Sequence, residues 1–217
     1  MTGRQRDWPR AWLMTDERMG DRLWTAIDRL PIKHSGIVFR HYSLAKDMRA
    51  VLARRIADIC HRRSIALAVA GDEEFAATVG ADLVHNPPEA PRRLPFSRSV
   101  HSIDEAEAAR AANAAIVFVS PIYPTQSHPD EEGLSRPLAA RIAQAAGVPA
   151  IALGGMDALK FARLQRDGFY GWAGIDAWLG DAVRTLTRCR RIPPGCRGGC
   201  RRRRHCAHAR HCSERHQ

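Results

Sequence analysis

The sequence predicts a compact TIM (β/α)8 barrel, an α/β fold, followed by a basic, Cys/His-rich C-terminal tail. Three observations carry that expectation. Eight short apolar runs alternate with about seven longer amphipathic ones. The short runs are apolar throughout and mostly bounded by turn residues, as strands of a parallel sheet buried on both faces must be. An open doubly wound sheet is the competing architecture, and it usually carries a glycine-rich loop after its first strand. Here the first run leads into Thr15-Asp16-Glu17-Arg18 instead.

The runs at residues 11–14 and 36–39 are the first two expected strands, with a helix at 21–30 between them. Residues 44–62 form the best amphipathic pattern, with Leu44, Met48, Val51, Leu52, Ile56 and Ile59 on one stripe. The strand at 65–70 leads through Gly71-Asp72 into a helix at 72–79. The strands at 82–84 and 97–100 are separated by a proline-rich stretch, 84–95, with no helical pattern. Ser102 with Glu105 three residues on is a capping box that opens a helix at 102–113. After the strand at 115–119 comes the longest loop of the body, 120–133, a candidate lid. The helix at 134–146 stops at Gly147, a C-cap residue. A strand at 149–153, a helix at 158–166, a strand at 168–173 and a helix at 176–187 complete the alternation.

The 217 residues carry a formal charge of +11, but residues 188–217 alone hold ten Arg and one Glu, so the body is nearly neutral. Domain boundaries follow: an N-terminal extension at 1–10, the barrel at 11–187, and a tail at 188–217 expected to be disordered. Cys60 is the body's one cysteine; Cys189, Cys196, Cys200, Cys206 and Cys212 all lie in the tail. A body with a single thiol fits a reducing, cytoplasmic setting. No apolar run reaches the roughly 20 residues of a membrane span, and the first ten residues lack the apolar core of a secretory signal. No membrane partner is expected. The tail reads as a zinc site, as a basic arm for nucleic acid or anionic surfaces, or as an unstructured extension. Its cysteine spacings match no tight zinc pattern, and nucleic acid is not expected as a partner of the body.

A barrel of this type presents its site at the C-terminal ends of its strands. The residues just past those ends are polar and rich in His, Arg, Asp and Gly. Arg40 could fork onto a phosphate or carboxylate, or pair with an acidic neighbour on the surface. Asp72 could hold a metal, or simply cap the helix that follows it. His101 and His128 are candidate acid–base groups, or solvated histidines. Gly154-Gly155, with Gly174-Ile175 at the next strand end, fit a phosphate held by backbone N–H groups, or a tight turn.

Five segments, in order, resemble one family. They are Trp12-Leu13-Met14-Thr15-Asp16, then Val79-Gly80-Ala81-Asp82-Leu83-Val84-His85, then Ser99-Val100-His101-Ser102. Ser120-Pro121-Ile122-Tyr123-Pro124-Thr125-Gln126-Ser127-His128 follows, and then Val148-Pro149-Ala150-Ile151-Ala152-Leu153-Gly154-Gly155-Met156. Over residues 12–178 the chain resembles the thiamine phosphate synthase family, which also contains the TenI-type thiazole tautomerases. The resemblance implies a TIM barrel and a transferase. That activity joins hydroxymethylpyrimidine pyrophosphate to thiazole phosphate with release of pyrophosphate, and magnesium assists. It implies Arg40 and Ser99 on the pyrophosphate, Asp72 on Mg2+, Thr125, Ser127 and His128 in the lid, and Gly154, Gly155, Gly174 and Ile175 around the thiazole phosphate. Val38 and Tyr42 stand where the family has an amide and a lysine, His128 where it has a second lysine, and Asp176 where it has a serine. Only Glu89 could replace a second metal carboxylate. The pyrophosphate and metal site is therefore degenerate by this comparison. Asp176 must face away, cap the last helix or pair with a cation. The alternatives are a metal-free tautomerase using His101 or His128, and a non-catalytic barrel that binds phosphorylated ligands.

Overall fold

In the computed structural model, which describes residues 7–124 and 132–180, eight parallel strands close into a barrel in chain order. They are β1 (Ala11–Met14), β2 (Ser35–Phe39), β3 (Ala66–Ala70), β4 (Leu83–His85), β5 (Phe96–Val100), β6 (Ile116–Val119), β7 (Ala150–Ala152) and β8 (Gly171–Gly174). β1 pairs with both β2 and β8, which closes the ring and excludes the open sheet. Among the described residues, six helices surround it: α1 (Arg22–Asp28), α2 (Lys46–Arg63), α3 (Glu73–Thr78), α4 (Ile103–Ala111), α5 (Arg136–Ala146) and α6 (Ala158–Leu164). The proline-rich connection from β4 to β5 contains no helix, as expected. Beyond β8 the described residues contain a 3-10 turn at Asp176–Trp178. The rest of the expected last helix lies outside the described residues, as do the tail and Thr125, Ser127 and His128.

Capping follows the local sequence. Ser102 accepts the Glu105 N–H at the start of α4, and Asp157 accepts the Lys160 N–H at the start of α6. Gly147, at φ 60°, ends α5.

The expected apolar stripe of α2 is found in part: Ile56 is buried, and Leu52 and Ile59 pack against the core. Met48 and Val51 are 62% and 61% exposed, Leu44 precedes the helix, and the buried face is Ala53, Ile56 and Cys60. Arg49 reaches from α2 to the strand ends, donating to the Ala70 and Arg40 carbonyls. A pattern built on large side chains misses Ala53 and Cys60. Burial pushes the Cys60 thiol up to about 12, so this cysteine stays protonated and inert at neutral pH.

The barrel interior is dominated by one side chain. Trp12 is fully buried, packs edge-on against Phe118 at 5.7 Å, and shares its cluster with Met14, Val38, Ala68 and Ala173. Its strand neighbour Gly36 makes room for it: a Cβ there would stand 2.3 Å from the indole. Large and small residues thus interdigitate across the ring. Trp8 closes the floor beneath Trp12, and its carbonyl accepts the Tyr170 hydroxyl at 2.5 Å. At the β1–β8 junction Trp172 stacks on Trp178 with centroids 5.0 Å apart, and the Trp178 indole N–H donates to the Trp12 carbonyl at 3.0 Å.

Candidate active site

Above Trp12, at the C-terminal ends of the strands, lies a cavity of about 970 Å³. Its polar lining comes from three groups of residues.

The first is at β1 and β2. The Arg40 Nε–H donates to the Thr15 carbonyl at 2.8 Å and its Nη2 donates to Asp16 Oδ2 at 3.3 Å. Asp16 is also gripped by the Arg18 fork, at 2.7 and 2.9 Å. The Arg18 hydrogen bond lowers the Asp16 pKa, so this carboxylate stays ionised between two guanidiniums. Burial works against the charge on Arg40 and Asp16 works for it. The result is an arginine with a fixed orientation at the rim. The Thr15 hydroxyl accepts the Arg40 backbone N–H at 3.0 Å and shares a hydrogen bond with His41 Nδ1 at 3.0 Å.

The second group is at β4 and β5. His85 Nδ1 shares a hydrogen bond with Ser97 Oγ at 2.9 Å, and the ring stands edge-on to Phe118 at 5.2 Å. Asn86 clamps Ser99, accepting its N–H at 2.7 Å and donating to its Oγ at 3.1 Å. His101 Nδ1 donates to the Ser120 carbonyl at 2.7 Å. A carbonyl can only accept, so His101 Nδ1 carries a proton. Desolvation, reinforced by the charges of Arg40 and Arg98, lowers the His85 pKa from 6.5 to about 3. The unfolded chain therefore binds a proton below pH 6.5 that the folded chain refuses. Stability is expected to be level above pH 6.5 and to fall as pH drops from there toward 3, with a slope approaching about 1.4 kcal/mol per pH unit. Chemical denaturation from pH 7.5 to 4.5 checks this, with His85→Asn expected to reduce the slope to the share left by His41, whose pKa burial also lowers. Asp16 and Glu17, whose pKa values are lowered, add their own loss only at more acidic pH.

The third group is at β7 and β8. Gly154 and Gly155 have φ of 99° and 57°, and a Cβ on either would approach the 121–124 backbone to 2.9 Å. The tight turn is thus real whatever binds there. Lys160 reaches back from α6 to donate to the Gly155 carbonyl and lies 5.0 Å from the Tyr123 ring centroid. Asp176 lines the cavity, so its position does not face away from the site.

Of the residues singled out from sequence, Arg40, Ser99, His101, Gly154, Gly155, Gly174 and Ile175 share the cavity. Asp72 does not. Its carboxylate accepts the Phe75 N–H at 2.7 Å as the N-cap of α3. Asp72→Ala is expected to lower stability by about 1 kcal/mol, with Asp72→Asn retaining most of it, as thermal melts will show. Glu89 is exposed and also lies off the lining. Lys160 and Arg49 went unrecognised in the sequence.

A sequence model of the thiamine monophosphate synthase family (TMP-TENI) matches residues 13–178, which span β1 through the turn after β8. The chain belongs to this family. Similar proteins include the thiamine-phosphate synthase of Salinispora arenicola, 33% identical over 186 residues that cover 77% of this chain and 88% of that one. The thiamine-phosphate synthase of Geobacillus kaustophilus is 31% identical over 140 residues, 59% of this chain and 63% of that one. Among solved structures, the thiamine phosphate pyrophosphorylase from Pyrococcus furiosus superposes with a TM-score of 0.70 at 20% identity, covering 82% of this chain and 91% of that one. At that identity the superposition speaks for the barrel alone. Membership in this thiamine monophosphate synthase family places the chain among transferases of thiamine biosynthesis. Among the described residues no helix is long and apolar enough to cross a membrane.

Proposed function

We propose that this barrel joins hydroxymethylpyrimidine pyrophosphate to thiazole phosphate, giving thiamine phosphate and pyrophosphate. The observation that supports this best is convergence. Arg40, Ser99, Gly154, Gly155, Gly174 and Ile175 come from four strand ends and line one cavity. As the pyrimidine–oxygen bond breaks, its electrons leave with the pyrophosphate, so the catalyst must hold negative charge with donors already in place. Arg40 is such a donor, because Thr15 and Asp16 fix its guanidinium before any ligand arrives. Ser99 is held the same way by Asn86.

The described residues do not fit a magnesium site. No three His, Cys, Asp or Glu side chains among them group closely enough to hold a metal. Asp72 is engaged as a helix cap, and Glu89 lies off the cavity. In this reading the pyrophosphate is held by Arg40, Ser99 and any lid groups from residues 125–131, and no step is routed through a metal.

One observation favours a second reading, acid–base isomerisation of a thiazole. The His101 ring is oriented by the Ser120 carbonyl, and His101 lines the cavity. A turnover assay of the full chain separates the two. Supplied with both precursors and with or without Mg2+, it is expected to release pyrophosphate and thiamine phosphate. Isomerisation without coupling would support the second reading. Ligand binding with neither reaction would mark a non-catalytic barrel.

A further inference from the structure

The β7–β8 side of the cavity carries a charge problem. Asp157 and Asp176 both line it, and a phosphate placed there meets two carboxylates. Asp157 is partly occupied, since Oδ1 accepts the Lys160 backbone N–H at 2.8 Å. Asp176 stands where the loop after β8 meets the cavity. The α6 helix has only seven residues, and its first turn is already capped by the Asp157 carboxylate. Backbone donors alone are therefore a weak counterweight to two negative side chains.

The Lys160 side chain supplies what is missing. It sits in the first turn of α6 and folds back so that its ammonium donates to the Gly155 carbonyl. The Tyr123 ring lies 5.0 Å away and supports the cation. An ammonium has three donors, and the carbonyl takes one. Arg40 and Lys160 are the arginine and lysine among the described residues lining the cavity, and they stand on different sides of its mouth, at β2 and beyond β7. A cavity with a cation on each side suits two anionic ends, one on each substrate.

We infer that Lys160 is a specificity-determining residue: its ammonium receives the phosphate of the thiazole-side substrate and offsets the carboxylates of Asp157 and Asp176. The inference rests on the proposed function for the identity of that substrate. Without Lys160, the same pocket favours the uncharged alcohol.

The experiment compares binding of hydroxyethylthiazole phosphate and of its free alcohol to the full chain by calorimetry. Wild type is expected to prefer the phosphate. Lys160→Met should weaken phosphate binding on the order of ten- to a hundredfold, the range for losing a charge-assisted hydrogen bond. The alcohol should bind as before, Lys160→Arg should keep the preference, and Asp176→Ser should increase it. An unchanged preference in Lys160→Met, or none in wild type, overturns the inference. Should Lys160→Met fail to fold, a preference that drops in Asp176→Ser overturns it equally. Failure of the coupling assay sinks the synthase reading while leaving this binding ratio intact, so the two failures are distinguishable.

Discussion

Arg40→Ala is expected to lower kcat/KM for the coupling reaction by about 10²–10³-fold, the loss seen when one preorganised donor to a developing anion is removed. The effect should be large because the guanidinium is already aimed. Its Nε is bound to the Thr15 carbonyl at 2.8 Å and its Nη2 to Asp16 at 3.3 Å. Neither contact has to form during the reaction. Arg40→Lys should recover little, because an ammonium keeps the charge but cannot bridge the Thr15 carbonyl and Asp16 with a planar fork. Steady-state pyrophosphate release measures both variants, with circular dichroism to show that they are folded. A folded Arg40→Ala protein within twofold of wild type would remove Arg40 from the catalytic apparatus. Asp16 would not be left unpaired in that variant, because Arg18 still grips it with two hydrogen bonds. The loss therefore reports on the ligand rather than on a stranded carboxylate.

Gly36→Ala should be among the most destabilising single-methyl changes in the protein. The added carbon would stand 2.3 Å from the Trp12 ring, and the indole is fully buried with no open side to move into. Overpacking of this kind costs about 3 kcal/mol, or a fall in melting temperature of roughly 6–12 °C for a domain of this size. Trp12→Phe in the same chain should recover part of the loss, since the smaller ring relieves the clash that the methyl creates. The two changes are in contact, so their effects should be clearly non-additive. Thermal melts of the two single variants and the double variant test this. Strict additivity would show that the clash is absorbed elsewhere.

Much of the barrel was legible because a parallel strand buried on both faces is a short apolar run, and eight such runs have few ways to pair. The interior was not legible for the same reason. Trp12 and Leu13 are equally apolar, and only the closed ring shows that Trp12 points inward while Leu13 packs under the helices. On α2, Met48 and Val51 looked like core because they are large, whereas Ala53 and Cys60 share the buried face with Ile56. At the site, residues at strand ends could be anticipated from topology, which is how Arg40 and Ser99 were found. Lys160 could not. A lone lysine one turn into a helix reads as a solvated charge until the fold brings it back over Gly155. Asp72 shows the converse. Gly-Asp before a helix admits both a ligand and a cap, and only the 2.7 Å contact with the Phe75 N–H assigns the carboxylate to capping.

The tryptophans supply an optical clock for the assembly of the ring. Four of the five indoles, those of Trp8, Trp12, Trp172 and Trp178, gather where the first strand meets the last. The Trp178–Trp12 hydrogen bond joins positions 166 residues apart. Their emission therefore reports the most non-local event in the fold, while far-ultraviolet ellipticity reports helices that can form from neighbouring residues. Refolding traces that coincide by both signals mean that the ring and its helices appear together. Ellipticity that recovers ahead of emission means that the α/β units form first and the β1–β8 seam zips last.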